Sequence, residues 1–315
     1  MKKLKVQLFV RFMGLLLLLL FVIMSLKLFN FESLKLSAVQ LLTNPLILLV
    51  MIIVYGLSFF LRAFAWHLYL NQKVSFHRCL DGLWYSLLIN HILPFKVGDI
   101  VRAGVITSKE KQVKLDDAIH SVVVMRLIDL VILVMISGIG MVLFIGEITI
   151  QRSLYVLLLL IPFTIGIVFS LKFFKPALLQ KHIDLLKVAL YGKKGLIIIT
   201  AIIVSWLCEA IVIYGVAYSL SLPLSFLESI WVNSLTVGGQ VFQITPGGIA
   251  TYETIMAFAL VNLQIPWEQS YMVALLSHLF KFMFSYGVGV FVIIKSPIPL
   301  NKLRSLIKRK GVRSL

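Results

Sequence analysis

Long apolar runs separated by short clusters of basic and polar residues set the pattern of this chain almost from end to end. Six runs, near 12 to 29, 45 to 69, 119 to 145, 153 to 171, 196 to 219 and 270 to 294, are each long enough for a helix to cross a hydrocarbon core of roughly 30 Å. A helix satisfies every backbone N–H and C=O within its own segment, which a bilayer interior demands. Two further apolar regions, about 80 to 106 and 227 to 262, are interrupted in the middle, the first by Pro94 and Gly98, the second by Pro246, Gly247 and Gly248. Each half is shorter than a full span and nearer to a re-entrant piece. The pattern predicts an all-α polytopic membrane protein with about six spanning helices and two opposed re-entrant helical hairpins, each entering and leaving on one side.

Composition agrees with this class. Of the 315 residues 60% are hydrophobic and 14% charged, against about 25% charged in a soluble domain. Cys79 and Cys208 are the two cysteines, and their spacing suggests neither a metal site nor a disulfide framework. The first run follows "MKKLKVQLFVR" and has the look of a signal peptide. It is long, has no clean small-residue cleavage site and precedes many more spans, so a retained helix is expected.

Charge then orients the chain. With the N-terminus inside, the inner segments hold 22 of the 30 Lys and Arg, and the outer side holds three, Lys27, Lys35 and Arg152. Such a bias places both termini in the cytoplasm of a cell (inner) membrane protein. It also accounts for most of the net charge of +17 without a nucleic-acid partner. Three crossings per half force the second half to insert upside down, an inverted-topology repeat with halves of about 1–150 and 151–295. The turns at Pro94 and Pro246 keep a similar offset to Arg126 and Lys281. One transmembrane domain over 1–295 and a basic cytoplasmic tail over 296–315 are expected. That tail, with the basic and apolar stretch near 172 to 194, suits the anionic inner leaflet.

The interrupted regions carry the candidate chemistry. In "QITPGGIATYE", 243 to 253, Pro246 lacks an N–H and ends one half-helix. Gly247 and Gly248 permit close approach of a ligand or a neighbouring helix. The half-helix that follows offers free N–H groups and a positive dipole end, a favourable place for a phosphate or carboxylate. Thr251 is a candidate cap. Glu253 fits two roles equally: stabilising the helix start, or meeting substrate or a proton.

"LPFKVGDIVRA", 93 to 103, repeats the logic with different charges. Pro94 and Gly98 form the turn, Lys96 lies within it, Asp99 opens the next helix, and Arg102 follows on the same face. Asn90 and His91 precede the proline and point hydrogen-bonding groups to the same region. An ionised residue at the centre of a membrane helix costs at least about 2.5–3.5 kcal/mol, so each should face a partner or water. Arg102 fits a staple to Asp99 or, the favoured reading, a clamp on phosphate through two parallel hydrogen bonds.

Further along, Arg126 and Asp129 share one helical face and suit either a self-neutralising pair or the same site. Glu209 and Lys281 are mid-span, to pair with each other or with Arg102, and with Asp99 and Asp129 they are the candidates for charge pairing or ion coupling. Arg62 and His67 lie towards an inner helix end and are expected to snorkel. His278 is expected to be a packing or hydrogen-bonding residue before a proton relay. Gly138, Gly140, Gly287 and Gly289 suit close helix packing.

Taken together, "N..LP.K.GD..R" at 90 to 102, "R..D" at 126 to 129 and "TPGGIATYE" at 245 to 253 resemble the transmembrane domain of lysylphosphatidylglycerol synthases, a flippase-like domain that also occurs alone. The resemblance covers essentially every span. It implies two re-entrant hairpins meeting in a central cavity and transfer of phospholipid headgroups between leaflets. By motif it extends that site to Pro94, Gly98, Asp99, Arg102, Arg126, Asp129, Pro246, Gly247, Gly248 and Glu253. The chain departs from the usual pattern at Met125 and Asp99, where glutamate is common, and at Ala250, where glycine is common. With no soluble aminoacyl-transferring domain after the last span, synthesis of a lysyl-lipid by that chemistry is not expected.

The expectation is therefore a lipid flippase or transporter that draws an anionic or zwitterionic headgroup into a midplane cavity. Asn90, Lys96, Arg102, Arg126, Gly247, Gly248 and Glu253 would bind substrate. No cofactor or metal is called for: there is no HExxH, no histidine pair at ligand spacing and no P-loop. Membrane phospholipids are the expected partners, and oligomerisation is left open. Two other classes stand beside it, an intramembrane lipid-modifying enzyme and a non-transporting partner of such an enzyme.

Overall fold

The computed structural model describes residues 31–110, 112–144, 191–241 and 245–298, with positions 180 and 187. The spans expected at 12 to 29 and 153 to 171, most of the basic stretch near 172 to 194 and nearly all of the tail lie outside the described residues.

Every regular element among the described residues is helical. The order is α1 Phe31–Leu42, α2 Pro45–Tyr69, α3 Phe76–Ile92, α4 Gly98–Lys109, α5 Leu115–Phe144, α6 Gly192–Glu209, α7 Ile211–Ser219, α8 Phe226–Gly239, a single 3-10 turn Pro246–Gly248, α9 Thr251–Asn262 and α10 Trp267–Lys295. Pro45 opens α2 at a position where its missing N–H has no helical partner to lose. Ser225 and Glu228 form a reciprocal capping box that starts α8.

Among the described residues four stretches are long and apolar enough to cross a membrane: α2, α5, α6 with α7, and α10. Their outer faces are bare hydrocarbon, as at Ile53, Met135 and Ile294. Charged residues are instead gathered inside, where Arg102, Asp129, Glu209, Glu253 and Lys281 are all buried. That reversal of the soluble pattern is what a lipid solvent selects. The run expected as one span over 196 to 219 is interrupted at Ala210, immediately after Glu209, where the Ala210 N–H bonds three residues back to Leu207.

Packing is reciprocal between the two halves. α2 lies against α6, α5 against α8, and α10 against α3. Exchanging α2 with α6, α3 with α8, α4 with α9 and α5 with α10 maps these pairings onto one another. Close approach explains two of the four glycines expected to serve helix packing: a Cβ on Gly140 would run into the Trp231 ring, and one on Gly289 would come within 2.7 Å of Leu88. Gly138 and Gly287 have no such neighbour among the described residues.

The two interrupted regions are helix–turn–helix units, α3 packed on α4 and α8 on α9. In the first, the left-handed residues are Phe95 (φ 63°) and Lys96 (φ 48°), not the glycine. Gly98 is the first residue of α4, and its part is close approach: an added Cβ would strike the Ser86 carbonyl oxygen.

Candidate functional site

Asp99 is the hub of the first helical pair. The Arg126 guanidinium donates to it through a two-pronged fork, Nε to Oδ2 at 2.9 Å and the terminal nitrogen to Oδ1 at 2.8 Å. Ser86 adds a hydroxyl donor to Oδ1 at 3.2 Å. The Gly98 N–H donates to Asn90 Oδ1 at 2.8 Å and ties the start of α4 to α3. Both sequence-local pairings are looser: Arg102 Nε lies 3.8 Å from Asp99, and Arg126 lies 3.6 Å from Asp129. A guanidinium on a neighbouring helix can present its planar edge to a carboxylate, whereas a partner three residues along one helix reaches it obliquely.

Arg102 is held otherwise. One terminal nitrogen donates to the Val122 carbonyl at 3.3 Å, its guanidinium sits 4.9 Å from the Trp66 ring centre, and its buried Nε has no hydrogen-bond partner. Asp129 accepts from the Trp206 indole at 3.1 Å.

Glu209 organises the other wall. Arg62 donates to it at 2.5 Å and Lys281 at 3.0 Å, and Lys281 also donates to Asn233 at 3.1 Å. The Glu209–Lys281 pairing is one of the two that the spacing left open. Arg62 does not snorkel. It lies about two turns before the end of α2, on the face packed against α6, where it also meets Ser205 and the Trp206 ring.

The second helical pair turns through Pro246, with Gly247 at φ 64°, Gly248 at φ 79° and Ala250 at φ 74°. Thr245 Oγ1 donates to the Ile249 carbonyl at 2.7 Å, and the Gln240 amide donates to the Gly248 carbonyl at 3.3 Å. Thr251 makes no cap. The start of α9 is secured by Glu253, whose Oε2 accepts from the Ala250 N–H at 2.8 Å.

The other oxygen of Glu253 stands 2.7 Å from Nδ1 of His278, whose Nε2 is 3.1 Å from the Gly247 carbonyl. A carbonyl only accepts, so Nε2 carries a proton, and a second proton lies between Nδ1 and the carboxylate. The pair is electrically neutral as a unit, whichever partner holds that second proton. Tyr252 stacks on the imidazole with ring centres 4.1 Å apart. Glu253 therefore secures the helix start with one oxygen and meets His278 with the other.

These groups surround one cavity of about 140 Å³ between the two helical pairs and α2, α5, α6 and α10. That exceeds the roughly 10–15 Å³ one water needs, so the charges can be hydrated. Of the residues singled out by sequence, Asn90, Lys96, Arg102, Arg126, Asp129, Glu209, Gly247 and Lys281 line it. Asp99 and Glu253 stand behind it, bonded to lining residues, while Pro94, Gly98, Pro246 and Gly248 shape the turns. Arg62, His91 and His278 line it too, with Tyr55, Trp66, Trp206 and Gln240 among the other wall residues. The aromatic and amide members carry no charge at membrane depth, so an apolar run gives them no distinguishing signal. Among the described residues no cluster of three or more His, Cys, Asp or Glu has the arrangement of a metal site.

Residues 9–289 match the family described as the lysylphosphatidylglycerol synthase TM region. The chain is also 23% identical over 227 residues to a UPF0104 membrane protein of Methanocaldococcus jannaschii, across 67% of this chain and 96% of that protein. No solved structure matches it. With the family match running through every helix that lines the cavity, the chain belongs to the lysylphosphatidylglycerol synthase TM region family.

Proposed function

We propose that this protein is a phospholipid flippase or lipid transporter, in which an anionic or zwitterionic headgroup passes through the central cavity while its acyl tails remain in the bilayer. One observation carries this reading: a hydratable, charge-lined cavity lies among helices whose outer faces are bare hydrocarbon. A polar hollow at that depth is characteristic of a substrate or ion pathway.

In this reading the α3–α4 and α8–α9 units are re-entrant hairpins, entering from opposite sides of a membrane crossed by six helices. The reciprocal packing of the halves supports an inverted repeat within one transmembrane domain. The 22-to-3 distribution of basic residues supports an inner-membrane orientation with both termini cytoplasmic. The protein moves its lipid without making or breaking a bond.

The test is leaflet-resolved lipid exchange in proteoliposomes across a headgroup panel. The parent is expected to exchange labelled lipid without turnover, and an Arg102→Ala, Arg126→Ala double variant to insert normally and lose exchange of anionic headgroups. Equal rates in variant and parent would remove the clamp. Chemical conversion of the lipid would point to an enzyme instead. An inactive parent that retains a lipid-modifying enzyme on purification would point to a partner role.

A further inference from the structure

Charge at the cavity is unbalanced. Arg62 and Lys281 share a single carboxylate, Glu209. Arg126 is engaged by Asp99, with Asp129 on its other side. Lys96 and Arg102 remain, both from the first helical pair. Among the described residues Lys96 makes no hydrogen bond or ion pair. Arg102 is 4% exposed, and the nearest carboxylate oxygen is 3.8 Å from an Nε that bonds to nothing. The His278–Glu253 pair contributes no net charge, and His91 can only add positive charge. Among the described residues five cations thus stand against three carboxylates, an excess of two positive charges.

Uncompensated charge at membrane depth is costly, so a ligand that supplies the missing negative charge is favoured. A zwitterionic headgroup brings no net charge and sets an ammonium among cations. A phosphodiester brings one negative charge. A phosphomonoester carries about −1.5 to −2 at neutral pH and three strong acceptor oxygens, which suits an unpaired guanidinium edge and a nearby ammonium. We propose that the cavity selects a phosphomonoester headgroup, with Lys96 and Arg102 holding its oxygens. This rests on the lipid-transport reading above and narrows its substrate class.

The full chain in nanodiscs should be measured for binding of dioleoyl phosphatidic acid, phosphatidylglycerol and phosphatidylcholine, with glycerol 3-phosphate as a soluble competitor. Phosphatidic acid is expected to bind at least about tenfold more tightly than phosphatidylglycerol, one charge-assisted hydrogen bond being worth that much. Phosphatidylcholine should bind more weakly still. Lys96→Ala, in a half-buried turn where loss of the side chain leaves the helices intact, should bring the first two lipids to near parity, and Lys96→Arg should restore the preference.

Equal affinity for the three lipids would overturn the proposal, and leaflet exchange on the same preparations would then judge transport alone. Displacement of phosphatidic acid by equimolar glycerol 3-phosphate would overturn the lipid as occupant in favour of a soluble phosphate ester. Selective, Lys96-dependent binding of phosphatidic acid without any leaflet exchange would support the ligand class and remove the transport reading.

Discussion

Asp99 and Arg126, 27 residues apart in sequence, meet through both carboxylate oxygens and two guanidinium nitrogens, at 2.8 and 2.9 Å. The fork fastens the tip of the first helical pair to α5 at the edge of the cavity.

Arg126→Lys keeps the charge but offers a single point of contact in place of the fork. A double-mutant cycle with Asp99→Asn and Arg126→Gln, read by equilibrium unfolding in mixed micelles, should give a coupling of about 1–3 kcal/mol. Arg126→Lys should recover less than half of what Arg126→Gln loses. Full recovery by lysine would show that charge alone holds the pair.

Removing either end of the Glu209 cluster should have unequal effects. Loss of Glu209 strands buried Lys281 and partly buried Arg62, whereas loss of Lys281 leaves Glu209 with Arg62. Stranding a buried charge costs on the order of 3–5 kcal/mol. Glu209→Gln should therefore approach that figure, with Lys281→Met clearly milder in the same unfolding measurement. An equal or reversed order would mean that Arg62 does not share the carboxylate.

Ala250 holds φ 74°, a conformation that an L side chain adopts only with strain of about 1–2 kcal/mol. Ala250→Gly relieves it, partly offset by greater freedom in the unfolded chain, and should raise the thermal midpoint in detergent. Gly247→Ala should lower that midpoint, because the residue combines φ 64° with the Phe282 ring in the way of a Cβ. A lower midpoint for Ala250→Gly would contradict the backbone described for this turn.

Histidine-resolved nitrogen NMR tests the Glu253–His278 pair directly. His278 should show Nε2 protonated, as the neutral Nε2–H form or as imidazolium, and never the form protonated at Nδ1 alone. Glu253→Gln keeps a donor facing Nδ1 and should hold the Nε2–H form. Glu253→Ala removes the acceptor of the Ala250 N–H as well, for a loss of about 1–3 kcal/mol. A ring protonated only at Nδ1 would exclude the bond to Gly247.

The long described helices were legible because length and apolarity are properties of a run read alone, and the prolines marked where two runs break; the short α1 fell between two expected spans. Pairing was less so. Asp99 meets Arg126 because of the way α5 is rotated against α4, and no spacing within one helix contains that information. Arg62 looked interfacial by its place along α2, yet the face it shares with α6 draws it inside. Nothing in the side chains of Phe95 and Lys96 announces a left-handed turn. Ala250 was visible as a departure from the usual glycine, and its backbone angle shows why glycine suits the position.

Since α5 grips α8 and α10 grips α3, each half of the molecule embraces the other's broken element. A chain severed in the middle would yield fragments whose seams are both open, so neither fragment should insert stably without its complement. If the cavity carries lipid as proposed, tilting of one half drags the opposite tip along with it, and the hollow changes its exposure by sliding along these two clasped seams rather than by the halves drawing apart.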